Sequence, residues 1–192
     1  MHTLIFATNI RNKVAEIQSL VGPNFTIIPL KETGIDIDIP EPHDQLEANA
    51  LEKAMTIFNM TNQACFSEDT GLEIAALDGA PGVKSARYAG ENSNAQANID
   101  LVSSKMTGVE NRAAQFRTVI CLIWKNQTYY FEGICKGQIL HSMHGEKGFG
   151  YDPIFKPDGA DKSFAEMTME EKNTFSHRQK AVTQLFEFLR KQ

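Results

Sequence analysis

The chain opens on a compact apolar run at residues 3–7, which reads as a buried first strand. A polar turn follows, Thr8-Asn9-Ile10-Arg11-Asn12-Lys13. Val14, Ile17, Leu20 and Val21 then recur at helical spacing until Gly22-Pro23 stops the helix. Residues 25–28 predict a second strand, and residues 31–45, rich in Asp, Glu and Pro, an irregular loop. From Leu46 to Asn59 the stripe Leu46, Ala50, Ala54, Ile57 marks a long helix, on which Asn49 and Lys53 are four apart and point the same way. Ala64-Cys65-Phe66-Ser67 reads as a strand that ends at Glu68-Asp69-Thr70-Gly71, and Asp78-Gly79-Ala80-Pro81-Gly82 as a turn. A helix is expected over 94–106, then β-rich runs at 116–125 and 128–134 around Lys125-Asn126-Gln127, a hairpin pattern. The last third carries Gly145-Glu146-Lys147-Gly148-Phe149-Gly150-Tyr151-Asp152-Pro153 and two helical segments. Thr168 with Glu171, and Ser176 with Gln179, match a capping box. The second box places His177 and Arg178 in the first turn of the last helix, whose apolar face is Ala181, Leu185 and Phe188. With no repeat, linker or low-complexity tract, the pattern predicts one mixed α/β domain over 1–192.

Composition narrows the classes. A chain of 192 residues can bury a sizeable core, as one domain or as two lobes sharing a sheet. A net charge of −5 argues against an extended polyanion, and so against a nucleic-acid partner, whereas a free nucleotide needs only a small basic pocket. Cys65, Cys121 and Cys135 are widely spaced, without CxxC or a secretion signal, which predicts reduced, strand-buried thiols and a cytoplasmic protein. No apolar run approaches the ~18 residues of a membrane span, so no membrane association is expected.

The strand–turn–helix over 3–21 outlines a phosphate site, because helix-start N–H groups and the helix dipole favour an anion and Lys13 adds a formal charge. It lacks the glycine spacing of a Walker loop. Glu68 and Asp69 are neighbours on a strand and face opposite ways, so one of them reaches a given metal. Asp69, beside the expected turn, is the better candidate, with Glu41 of the acidic loop as a second ligand. Such hard oxygen donors suit magnesium, which keeps water and substrate phosphates as its other ligands. Phe149 sits between two glycines and would offer an exposed flat face to a base. His177-Arg178 can donate to a keto oxygen or ring nitrogen. His141 and His144 are three apart without a third ligand nearby, so no zinc site is expected. Together these features specify a nucleotide.

The same residues, in order along nearly the whole chain, resemble the inosine triphosphate pyrophosphatases, which cleave noncanonical purine nucleoside triphosphates. The resemblance rests on Ala7-Thr8 with Lys13, Asn49-Ala50 with Lys53-Ala54, Glu68-Asp69-Thr70-Gly71-Leu72, and Gly79-Ala80-Pro81-Gly82 with Ser85-Ala86-Arg87-Tyr88. It continues through Gly148-Phe149-Gly150-Tyr151-Asp152-Pro153, and from Glu171-Lys172 to Ser176-His177-Arg178. It implies an elongated mixed α/β fold with two lobes around a central nucleotide cleft, and a homodimer. It also implies magnesium-dependent hydrolysis of ITP, dITP or XTP to monophosphate and pyrophosphate. By position, Thr8, Asn9, Ile10, Arg11, Asn12 and Lys13 would cradle the triphosphate, with Lys53 nearby. Glu41 and Asp69 would hold the metal, Asp69 would accept the proton of the attacking water, and Thr70 would touch substrate. Phe149 would stack on the purine, Gly150, Tyr151 and Asp152 would surround it, and Lys172, His177 and Arg178 would read its edge. One position departs from the family pattern Thr-x-Asn-x-x-Lys: Ile10 stands where the Asn is usual. Two alternatives are a septum-formation-inhibitor type of nucleotide pyrophosphatase, against which the Phe149 and His177-Arg178 blocks argue, and a nucleotide-binding regulator without hydrolysis, which Ile10 favours.

Overall fold

The computed structural model describes residues 2–22 and 24–192, so Pro23 of the expected helix stop lies outside the described residues. In chain order the regular elements are β1 (His2–Phe6), α1 (Arg11–Gln18), β2 (Phe25–Pro29), α2 (Leu46–Thr61), β3 (Cys65–Ile74) and β4 (Pro81–Gly82). They continue with α3 (Ala95–Lys105), β5 (Ala113–Trp124), β6 (Gln127–Ile139), β7 (Phe155–Pro157), α4 (Met169–Phe175) and α5 (His177–Leu189). The strands hydrogen-bond in the order β2-β1-β3-β5-β6-β7, with β4 on β3. β1 runs parallel to both β2 and β3, and β7 runs antiparallel to β6. The mixed α/β class read from the sequence is the class observed. No helix among the described residues is long and apolar enough to cross a membrane.

The chain divides into two compact units, so that β3, β5 and β6 each contribute residues to both. The first comprises residues 1–69, 118–133 and 178–192. From Leu4 to Ala7, along β1 and just past it, every residue is apolar because both faces are covered. Leu4 and Phe6 pack with Ile17 of α1 and with Ala181, Val182, Leu185 and Phe186 of α5. Ile5 and Ala7 pack with Ala50, Ala54 and Ile57 of α2. Such burial contributes about 1.5–3 kcal/mol per large side chain, and it explains why the segment shows no alternation. The alanines let α2 approach β3 closely: Ser67 Oγ donates to the Ala50 carbonyl, and Cys65 Sγ to that of Ala54 at 3.3 Å.

Helix α1 stops earlier than its apolar spacing suggests. Ser19 caps it, donating its Oγ to the Glu16 carbonyl at 2.6 Å, and the turn tightens as the Leu20 N–H reaches the Ile17 carbonyl at 2.9 Å. The three cysteines are free, buried and on strands, as expected.

The second unit comprises residues 70–117 and 134–177. Its core gathers Leu72, Ile74, Ile99, Val102, Met106, Phe116, Ile139, Ile154, Phe155 and Phe164. Asn94 caps α3 by accepting from the Ala97 N–H at 3.0 Å. Two expectations are corrected. Glu68-Asp69-Thr70-Gly71 does not end a strand, since β3 runs on to Ile74; Gly71 admits the backbone of β4, where a Cβ would lie 2.7 Å from the Gly82 carbonyl oxygen. The Thr168–Glu171 box forms in full, but in the Ser176–Gln179 box the Gln179 Oε1 does not accept from the Ser176 N–H. The Ser176 N–H donates to the Lys172 carbonyl, ending α4, and the Gln179 amide turns along α5 to Thr183 Oγ1. The hairpin is longer than predicted, and Lys125 and Asn126 make its turn with φ of 51° and 61°, as a two-residue connection requires.

Candidate active site

On β3 the side chains of Glu68 and Asp69 diverge, and each meets cations from a different layer of the first unit. Asp69 faces α2. Its Oδ1 accepts from Lys53 Nζ at 3.2 Å, and Lys53 also donates to Glu41 Oε1 at 2.5 Å. The lysine thus stands between two carboxylates. Glu41 is held there because Asn49, one turn before Lys53 on α2, grips the loop: its Oδ1 accepts from the His43 N–H at 3.0 Å and its Nδ2 donates to the His43 carbonyl at 3.1 Å. In the sequence Asn49 stands out as a helix neighbour of Lys53 and a motif position; its burial and its hold on the loop are visible only in the fold. Burial pushes the Asp69 carboxyl above its ordinary value, and Glu41 adds to this against the pull of Lys53 and Lys13. Burial works against the charged form of Lys53 too, but Asp69 and Glu41 outweigh it and raise its pKa. Asp69 Oδ2 is buried without a hydrogen-bond partner.

Glu68 faces α1 and α5. Arg178 forks it, Nε to Oε2 at 2.7 Å and Nη2 to Oε1 at 2.8 Å, while Arg178 Nη1 donates to Glu16. Lys13 Nζ lies 3.1 Å from Glu68 Oε1. Burial opposes the charge on Glu68, but Arg178 and Lys13 prevail and hold its carboxyl well below the usual range. Arg178 is therefore no solvated helix start; it is 2% exposed. The resemblance gives it to the base edge, and the structure gives its guanidinium to two carboxylates.

The turn before α1 is open. Thr8 Oγ1 accepts from the Ile10 N–H at 3.2 Å, Asn9 Nδ2 donates to the Ile37 carbonyl at 3.1 Å, and Arg11 and Asn12 begin α1 with exposed side chains. Ile10 occupies the helix N-cap, makes no side-chain cap and is 47% exposed, so it is not a core residue.

In the second unit Asp152 organises the other candidates. Its Oδ2 accepts from the Phe149 N–H at 2.9 Å and from Lys172 Nζ at 2.7 Å. Lys172 Nζ is also 5.2 Å from the centroid of the Phe149 ring. Phe149 is half-buried rather than exposed, which follows from this anchoring. Tyr151 is buried and donates its hydroxyl to the Ser85 carbonyl at 2.8 Å, and burial raises its pKa. Gly150 turns the chain at a φ of 60°, and Thr70 is half-buried on β3. His177 stacks on Phe116, with ring centroids 4.7 Å apart and planes 19° apart. Among the described residues no group of three or more His, Cys, Asp or Glu could by itself hold a metal ion.

The chain is similar to known proteins over nearly its whole length. The dITP/XTP pyrophosphatase of Flavobacterium johnsoniae is 48% identical over 186 residues, covering 97% of each chain. That of Porphyromonas gingivalis is 48% identical over 190 residues, covering 98% of each. The solved structure of a HAM1 protein from Coxiella burnetii matches all of both chains at 34% identity with a TM-score of 0.90. A sequence model of the Ham1 family matches residues 4–188. On that span, and on relatives nearly half identical over their full length, this chain belongs to the Ham1 family.

Proposed function

We propose that the protein hydrolyses noncanonical purine nucleoside triphosphates such as dITP, XTP and ITP to the nucleoside monophosphate and pyrophosphate. The name of the relatives, dITP/XTP pyrophosphatase, supports the reading. The observation that carries it is the Glu41–Lys53–Asp69 set with its buried, unpartnered Asp69 Oδ2. That oxygen and the Glu41 carboxylate fit a hard divalent cation that takes few protein ligands, and magnesium is the ion of choice. When bound, the ion would supply Lewis-acid neutralisation of phosphate charge.

The chain's own residues do the rest. Asp69, its proton affinity raised by burial, takes the proton of a water whose oxygen bonds to the α-phosphorus. The bond from the α-phosphorus to the bridging oxygen breaks, and pyrophosphate leaves with that electron pair. Lys13, Lys53 and the backbone N–H groups at the start of α1 balance the growing negative charge. Phe149 stacks on the purine, and Lys172 and His177 donate to its edge, where a 6-keto oxygen accepts and adenine's 6-amino group would set donor against donor. Thr70, Gly150, Tyr151 and Asp152 shape and support that place. The homodimer that the resemblance implies belongs to this proposal, as does the cytoplasmic location read from the cysteines, which the free, buried thiols favour.

The test is a nucleotide panel with magnesium in which pyrophosphate and orthophosphate are scored separately. Two mispaired groups, the 6-amino group and N1 of adenine, at about 1.4 kcal/mol each predict ATP turnover ~100-fold less efficient than that of dITP or XTP. Comparable rates on ATP, or orthophosphate alone, would refute the assignment.

A further inference from the structure

Glu68 neighbours Asp69, yet no step of the proposed reaction uses it. Its side chain is 0% exposed, and both its oxygens are taken by the Arg178 fork. Glu16, one turn after Lys13 on α1 and itself buried, holds the remaining arm of the same guanidinium. Lys13 Nζ meets Glu68 Oε1 at 3.1 Å. Two cations and two carboxylates from β3, α1 and the start of α5 thus balance one another in the interior of the first unit. A planar guanidinium gripped on both sides fixes the carboxylate it forks in position and in plane. A lysine has no such rigidity of its own, and its flexible stem must be held by a partner.

We infer that Glu68 is a positioning residue for Lys13. Arg178 and Glu16 lock the Glu68 carboxylate, and the carboxylate fixes Lys13 Nζ at the first turn of α1. This rests on the role given above to Lys13 in meeting the triphosphate. A displacement of about 1 Å in a positioning contact can cost on the order of 100-fold in rate, so the effect must appear in turnover and must pass through Lys13. A network that serves only to hold the fold would change stability alone.

The experiment is a double-mutant cycle on the full chain: wild type, Glu68→Asp, Lys13→Ala and the double variant, with kcat and KM for dITP and a melting temperature for each. Glu68→Asp keeps the charge balance but draws the carboxylate back by about one C–C bond, ~1.5 Å. We expect kcat/KM to fall ~10- to 100-fold in the otherwise native enzyme, and less than about threefold once Lys13 is alanine. Native kcat/KM for Glu68→Asp, or an equal loss in both backgrounds, overturns the inference. If Glu68→Asp does not fold, Glu16→Gln loosens the guanidinium without touching Glu68 or Lys13 and is read by the same criterion. A wild-type protein that releases no pyrophosphate overturns the proposed function and this inference with it. Independent effects in an active enzyme overturn the inference alone.

Discussion

Gly148→Ala is the substitution on which the geometry of the second unit is most exposed to test. Gly148 has a φ of +74°, and a Cβ there would lie 2.0 Å from Asp152 Oδ2 and 2.9 Å from its Cγ. That oxygen is the one that accepts from both Lys172 Nζ and the Phe149 N–H, and Asp152 is 3% exposed. The methyl group must therefore displace a buried carboxylate from its ion pair. Breaking a buried pair costs about 3–5 kcal/mol, and left-handed backbone at a residue with a Cβ adds roughly 1 kcal/mol, for a total near ~4 kcal/mol or more. Gly150 is the control: its φ is +60°, but nothing lies within 4 Å of a Cβ built on it. Gly150→Ala should cost only the backbone share, about 1 kcal/mol. At about 2–4 °C per kcal/mol for a chain of this size, melting should drop ~8–16 °C for Gly148→Ala and ~2–4 °C for Gly150→Ala. Circular dichroism melts of both variants, run beside the wild type, read the difference. Because Phe149 and Lys172 lose their common anchor, KM for dITP should rise in Gly148→Ala as well. Equal melting shifts for the two variants would mean that the Asp152 carboxylate yields freely, and the account of its role would fail.

Two further outcomes follow from the first unit. Asp69→Asn keeps the shape of the side chain but loses the charge and the basic lone pair, so turnover should fall on the order of 100-fold or more with the fold retained; near-native turnover in a folded variant would show that another group accepts the proton. Ile10→Asn places a preferred N-cap on α1 at an exposed position, which should add about 1 kcal/mol of stability. If its amide also meets a phosphate, kcat/KM should rise ~5- to 30-fold. A melting temperature that falls would contradict the exposure of Ile10, and stabilisation without a kinetic gain would detach this position from the substrate.

What the sequence revealed depended on whether a residue's environment was local. The 3–7 run was legible as a strand because both of its faces are buried, which leaves an unbroken apolar stretch. The Lys125-Asn126 turn was legible because a two-residue connection leaves little choice of residue. The ends of β3 and α1 were not. Glu68-Asp69-Thr70-Gly71 carries the acids and glycine of a turn, and only the backbone of β4 lying against Gly71 shows why the strand continues. Phe149 between two glycines looked like an exposed platform, since its anchor on Asp152 depends on a side chain three residues away and on Lys172 twenty beyond that.

The same limit governs the charged residues. Arg178 near a helix start and Glu16 within a helix read alike whether they are solvated or paired, because the partners that decide it are distant: Arg178 meets Glu68 across 110 positions and Glu16 across 162. One local clue does exist. Adjacent carboxylates on a strand point to opposite faces, and a strand that begins Cys65-Phe66-Ser67 is buried on both. Each carboxylate then requires its own cation from its own layer, since an unpaired buried charge is too costly to keep. Two such cations are supplied by different helices, Lys53 from α2 and Arg178 from α5. The pair Glu68-Asp69 thus demands a cation on each side of the strand, although the sequence leaves open which cations these are.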